Sequence, residues 1–198
     1  MAQRSTIDDL RPGDILGFSG CSWLSAGINL CTLGLPLVGI SHVAIIASVP
    51  GDGPLLWEST ALTHRPCFFQ GRRIDGVQAH KIAPRLRDEC RYTKVWHYPL
   101  SVELDERDSH RLTCYLYSML GRSYDYLGAL RSRETVTGWA EHWLCPENLQ
   151  SLFCSELAAA ALEQVGRLPV CNASNMNPNR LCRTLVRCGI TRQPIRLQ

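Results

Sequence analysis

Strand-like segments in this chain follow one another instead of alternating with helices, and that order most constrains the fold. Ile15 to Phe18 is a short apolar run fed by a turn at Pro12-Gly13. Ile40 to Val49 is a β-branched run of strand length. Gly51-Asp52-Gly53-Pro54 reads as a turn, and Pro54 to Thr60 begins the next strand, so these two segments predict a hairpin. Gly76 to Ile82 and Thr93 to Leu100 are further strand candidates, and Thr191 to Leu197 is a last one. Grouped strands favour an α+β domain built on an antiparallel sheet.

Helices are expected between and after these strands. Ser22 to Leu33 carries Trp23, Ala26, Gly27 and Leu30 at helical spacing, with Gly34 and Pro36 to stop it. Ala83 to Arg91 is charged and reads as a loop or a short helix. Leu104 to Leu120 is the clearest helix: Asp105 suits its N-cap, Leu112, Tyr115, Leu116 and Met119 share a face, and Gly121 suits its end. Ser155 to Val165 is strongly helical, with four consecutive alanines. Asn177-Pro178-Asn179 starts a final helix, Arg180 to Arg187, closed by Gly189. Residues 126–153 are irregular and rich in Trp, Arg and Gly, which predicts a lid or specificity insertion within a single domain spanning 1–198.

Composition narrows the function. A formal net charge of +3 on 198 residues gives no case for nucleic acid or an anionic membrane. The basic patches Arg72-Arg73 and Arg85 to Arg91 have Asp75, Asp88 and Glu89 beside them and read as solvated surface. The most apolar stretch, Trp23 to Ile46, is interrupted by Gly34, Pro36, Gly39 and His42, so no stable membrane insertion is expected. The N-terminal residues lack an apolar signal segment. The expected location is the cytoplasm, with a virus particle or a dedicated secretion machinery as alternative routes.

Ten cysteines are present and none has C-x-x-C spacing, which disfavours a zinc ribbon or a redox pair. Several, Cys31 and Cys114 among them, sit in apolar periodic segments where a thiol behaves as a small hydrophobe. Cys154 differs, because it falls at the predicted start of the Ser155 helix, where free backbone N–H groups and the dipole favour a thiolate. His42 interrupts an apolar strand, with Ala44 on the same face. Glu58 lies on the strand expected to pair with that of His42, where a carboxylate would fix an imidazole tautomer. Tyr124, just past a helix end, could line a cleft or donate to an oxyanion. His142 and Cys145 are three apart but have no second ligand pair, so no metal and no cofactor are expected. His64, His80, His97 and His110 have no supporting context.

In order, Leu10-Arg11-Pro12-Gly13-Asp14-Ile15-Leu16, Ser41-His42-Val43-Ala44-Ile45, Glu58, Gly121-Arg122-Ser123-Tyr124-Asp125-Tyr126, Phe153-Cys154-Ser155-Glu156-Leu157 and Asn177-Pro178-Asn179-Arg180-Leu181 resemble the permuted branch of the NlpC/P60 superfamily, which includes the YiiX-type amidases. The resemblance implies a circularly permuted papain-like fold. It implies Cys154 as nucleophile, His42 as base, Glu58 as orienting residue and Tyr124 near the nucleophile. Three functions follow as expectations. The first is a cysteine amidase or peptidase acting on a small cell-wall peptide or on an N-acyl amino-acid or lipid-like amide. The second is an acyltransferase like the lecithin–retinol acyltransferases, with Trp23 to Leu37 lining a lipid groove. The third is a non-catalytic module on the same fold.

Overall fold

The computed structural model describes residues 4–20, 39–60, 65–89, 93–122, 146–169 and 177–197. The helix expected over Ser22 to Leu33, the apolar stretch to Leu37, Tyr124, the His142/Cys145 pair and most of the expected insertion lie outside them. Seven strands form one sheet: β1 (Arg4–Ser5), β2 (Ile15–Gly20), β3 (His42–Val49), β4 (Gly53–Thr60), β5 (Gly76–Lys81), β6 (Thr93–Tyr98) and β7 (Ile195–Leu197). Their order is β1-β7-β6-β2-β3-β4-β5. Every pairing is antiparallel except β1 with β7. The α-helices among the described residues are α1 (Ile82–Glu89), α2 (Glu106–Ser118), α3 (Pro146–Gln164) and α4 (Pro178–Arg187).

The β-branched run of β3 is continuous because both of its faces are buried. Val43, Ile45 and Ala47 join a large core with Leu112 and Leu116 of α2, Leu157, Ala161 and Leu162 of α3, and Leu181 and Leu185 of α4. Ala44 and Ile46 join a smaller core on the opposite face with Leu16, Phe18, Leu56, and Ile82 and Leu86 of α1. Strand alternation sorts successive residues between the two. Local signals hold at several ends. Gly13 has φ +91° in the turn before β2, Asp105 Oδ1 accepts the Asp108 N–H at 2.7 Å, and Asn177 Oδ1 accepts the Arg180 N–H at 2.8 Å with Pro178 in the first turn.

Three expectations need correction. The helix carrying Cys154 begins at Pro146, not Ser155, so Cys154 is its ninth residue. Proline is well suited to a first helical turn, and Leu149, Leu152, Phe153 and Leu157 already recur at helical spacing. Residues 146–153 are therefore helical. Arg85 is 5% exposed, because Ile82, Arg85 and Leu86 share the inner face of α1, so it is no surface charge. Cys114 is exposed, lying off the Leu112–Leu116 stripe of α2. Residues 4–5 add a short strand that the sequence reading did not anticipate.

Candidate active site

His42 is the first residue of β3, and its register partner on β2 is Phe18. The two rings lie 5.4 Å apart. The backbone leading into His42 is held from two sides. Asn179 Oδ1 of α4 accepts the Ile40 N–H at 2.7 Å, and Phe18 O accepts the Ser41 N–H at 2.8 Å. The motif around Asn179 thus fixes where β3 starts.

Glu58, on β4, is fully buried within an apolar strand. A carboxylate in such a place needs partners for its charge. His42 Nε2 lies 2.7 Å from Glu58 Oε2. Arg85 of α1 donates from Nε to Oε1 at 2.6 Å and from Nη2 to Oε2 at 3.0 Å, a two-point grip. His80 Nε2 is 3.6 Å from Oε1, beyond hydrogen-bond range, and 3.1 Å from Gln78 Oε1. Burial alone would raise the Glu58 pKa, but the His42 hydrogen bond and the Arg85 charge hold it well below the usual carboxylate range. His80 is pushed down, chiefly by burial.

Cys154 packs in the large core at 1% exposure, and its side chain hydrogen-bonds to His42. The imidazole of His42, 20% exposed, therefore links a carboxylate among the residues near α1 to a thiol on α3. Burial would lower the His42 pKa. The charge and hydrogen bond of Cys154, then those of Glu58, overcome this and hold it up to about 10. The arrangement favours a proton on the ring. As the ninth residue of α3, Cys154 gains little from the helix dipole, which fades beyond the first turn. The adjacent histidine is what distinguishes its setting. Cys182 of α4 makes the contrast: burial pushes its thiol up to about 12, with Tyr98 hydrogen-bonded to it.

The structure thus brings together Cys154, His42 and Glu58, and adds Arg85 and His80, which the sequence reading set aside. Arg85 had a readable signal, a cation on the apolar stripe of a short helix. A second polar cluster was also missed. His97 Nδ1 lies 2.8 Å from Ser5 Oγ, and His97 Nε2 lies 2.8 Å from Asp14 Oδ2. Asp14 also accepts the N–H groups of Arg11 and Leu100, both at 2.9 Å. Ser5, Asp14 and His97 border a depression of about 280 Å³ but are themselves buried and mutually engaged. They tie β1 and the turn before β2 to β6.

No family model and no curated protein matches this chain. Among solved structures it is similar to the metalloprotein YiiX of Escherichia coli O157:H7, a DUF1105 protein. The TM-score is 0.51 at 15% sequence identity, covering 94% of this chain and 88% of that one. The fold is similar to that of YiiX. At this identity the likeness concerns the fold alone. Among the described residues, no group of three or more His, Cys, Asp or Glu side chains is placed to hold a metal ion. Both oxygens of Glu58 already receive hydrogen bonds from Arg85, so the cluster at His42 and His80 does not fit a metal centre. No helix among the described residues is long and apolar enough to cross a membrane.

Proposed function

We propose that the protein is a cysteine hydrolase of permuted papain-like fold that cleaves amide bonds through a thiol acyl-enzyme. The observation that carries this reading is the position of His42, hydrogen-bonded to Cys154 and 2.7 Å from Glu58. A nucleophile, a base and an orienting carboxylate in one hydrogen-bonded line is the arrangement thiol acyl transfer requires. The YiiX-like fold and the chain order His42, Glu58, Cys154 support it further.

In this reading the Cys154 thiolate attacks the amide carbonyl carbon, and the tetrahedral intermediate collapses as His42 gives its proton to the leaving nitrogen. Water, deprotonated by the now neutral His42, then attacks the thioester and releases the acid and the thiol. Glu58 holds the ring so that Nδ1 faces the sulfur. Substrates of this class are small peptides or acyl-amides. Tyr124 is assigned near the oxyanion by the family resemblance alone.

The 1% exposure of Cys154 is the observation that favours the competing reading, a non-catalytic module with a buried thiol. Intact-mass measurement with an activated acyl ester separates the two. Wild type should gain one acyl group, and Cys154→Ala should gain none. Acylation that persists in Cys154→Ala, or is absent from both proteins, refutes the hydrolase. Transfer of the acyl group to an added amine in preference to water would assign an acyltransferase instead.

A further inference from the structure

The Ser5–His97–Asp14 cluster has the connectivity of a nucleophile, a base and an orienting acid, and the thiol chemistry uses none of it. Ser5 lies on β1 and His97 on β6, with β7 between them in the sheet. The register partners of His97 are Leu16 on β2 and Ile195 on β7, which hold its backbone from both sides. Asp14 Oδ1 accepts the Leu100 N–H and Asp14 Oδ2 the Arg11 N–H, each at 2.9 Å, so both oxygens act as acceptors. His97 Nε2, 2.8 Å from Oδ2, therefore carries the hydrogen of that contact. In the neutral ring Nδ1 is then an acceptor, and the Ser5 hydroxyl, 2.8 Å away, donates to it. A capping turn fixes the chain directly after Ser5: Asp9 Oδ2 accepts the N–H and the hydroxyl of Thr6, at 2.7 and 2.9 Å.

We propose that Ser5 is the nucleophile and His97 the base of a second catalytic site, a serine esterase, with Asp14 positioning the ring. Such a triad is defined by geometry and roles, not by position in the chain. The three side chains border the depression of about 280 Å³, which is the place for the ester. Its wall combines Arg4, Arg11 and Arg192 with Asp9 and Glu103, which suits a short polar ester and not a long acyl chain. The Ser5 oxygen bonds to the ester carbonyl carbon while its proton passes to His97 Nδ1. The tetrahedral intermediate collapses, the bond to the alcohol oxygen breaks, and His97 gives that oxygen the proton. Water, losing a proton to His97, then attacks the acyl-serine; the acid departs and the proton returns to Ser5. Water reaches the depression directly, so deacylation outruns acylation and no acyl-serine accumulates. The setting differs in this from that of Cys154, which packs in the large core.

The test uses the full chain carrying Cys154→Ala, so that no thiol at that position contributes, and its result stands whether or not Cys154 is a nucleophile. The probe is a small alkyl fluorophosphonate. The Ser5 oxygen bonds to phosphorus, the P–F bond breaks, fluoride leaves, and the serine proton passes through His97 to water. Intact mass should rise by one phosphonyl group, and peptide mapping should place it on Ser5. Adding Ser5→Ala should abolish the adduct, and adding His97→Gln should slow it at least about a hundredfold. Hydrolysis of p-nitrophenyl acetate should follow the same order. A serine held in a purely structural hydrogen bond gives no adduct. Should either variant fail to fold, the urea-unfolded chain replaces it and should take up no phosphonyl group, because only the folded cluster activates the hydroxyl. No adduct on the folded chain, an adduct mapped only elsewhere, an undiminished rate in folded His97→Gln, or equal labelling in urea overturns the proposal.

Discussion

His42 Nε2 meets Glu58 Oε2 at 2.7 Å, and this contact sets the direction of the whole ring. One nitrogen is spent on a buried carboxylate, so the other is left for the thiol of Cys154. β3 and β4 hold the pair in adjacent strands, with Ile45 opposite Trp57 and Ile46 opposite Leu56 fixing their register. A one-residue slip would turn Glu58 to the opposite face of the sheet.

Removing the charge of Glu58 should harm the fold as well as the site. Glu58→Gln removes the carboxylate charge that the buried Arg85 guanidinium grips at two points. The expected loss is about 3–5 kcal/mol of unfolding free energy. Removing both charges in Glu58→Gln/Arg85→Gln should be less damaging than the two single losses added. A double-mutant cycle from urea denaturation measures the coupling.

Stability should depend on pH with two arms of opposite sign. The Glu58 pKa is lowered on folding, so its contribution is complete above the ordinary value of 4.5 and is lost as the pH falls toward the depressed folded value. The His42 pKa is raised from 6.5 to about 10, so its contribution is complete below 6.5 and is lost as the pH rises through about 10. The greatest contribution from the pair therefore lies between 4.5 and 6.5. Denaturation midpoints across pH should flatten on the alkaline side in His42→Asn. An alkaline decline that is the same in both proteins contradicts the assignment.

The Ser5–His97–Asp14 cluster should matter for stability and not for thiol reactivity. His97→Ala leaves Ser5 Oγ and Asp14 Oδ2 without that buried partner. A loss of about 1–3 kcal/mol is expected. Hydrogen exchange should accelerate at Ser5 and Leu197, which pair across β1 and β7. The iodoacetamide rate of Cys154 in the folded variant should match wild type.

Asn179 should be felt at His42 through the backbone. Asn179→Ala removes the acceptor for the Ile40 N–H, two residues before His42. The expected result is about 1–3 kcal/mol of destabilisation together with slower Cys154 alkylation. Arg180, whose backbone N–H caps the same helix on Asn177, should tolerate side-chain replacement by Lys with little effect on either measure.

The sequence by itself determined what short-range physics controls. The β-branched run of β3, the hairpin to β4, the caps at Asp105 and Asn177 and the stripe of α2 each depend on residues a few positions apart, and all appear in the structure. The chain order of His42, Glu58 and Cys154 was equally legible. Where α3 begins was less so, because the irregular composition before Cys154 obscured a periodicity that reaches back to Leu149. Only the tertiary structure decided the partners. Arg85 meets Glu58 across 27 positions, and His97 meets Asp14 across 83. Such pairs are selected by which polar groups lose water together when the sheet and helices close, and no local pattern encodes that. Desolvation at closure turned an apparent surface arginine into the buried counter-ion of Glu58.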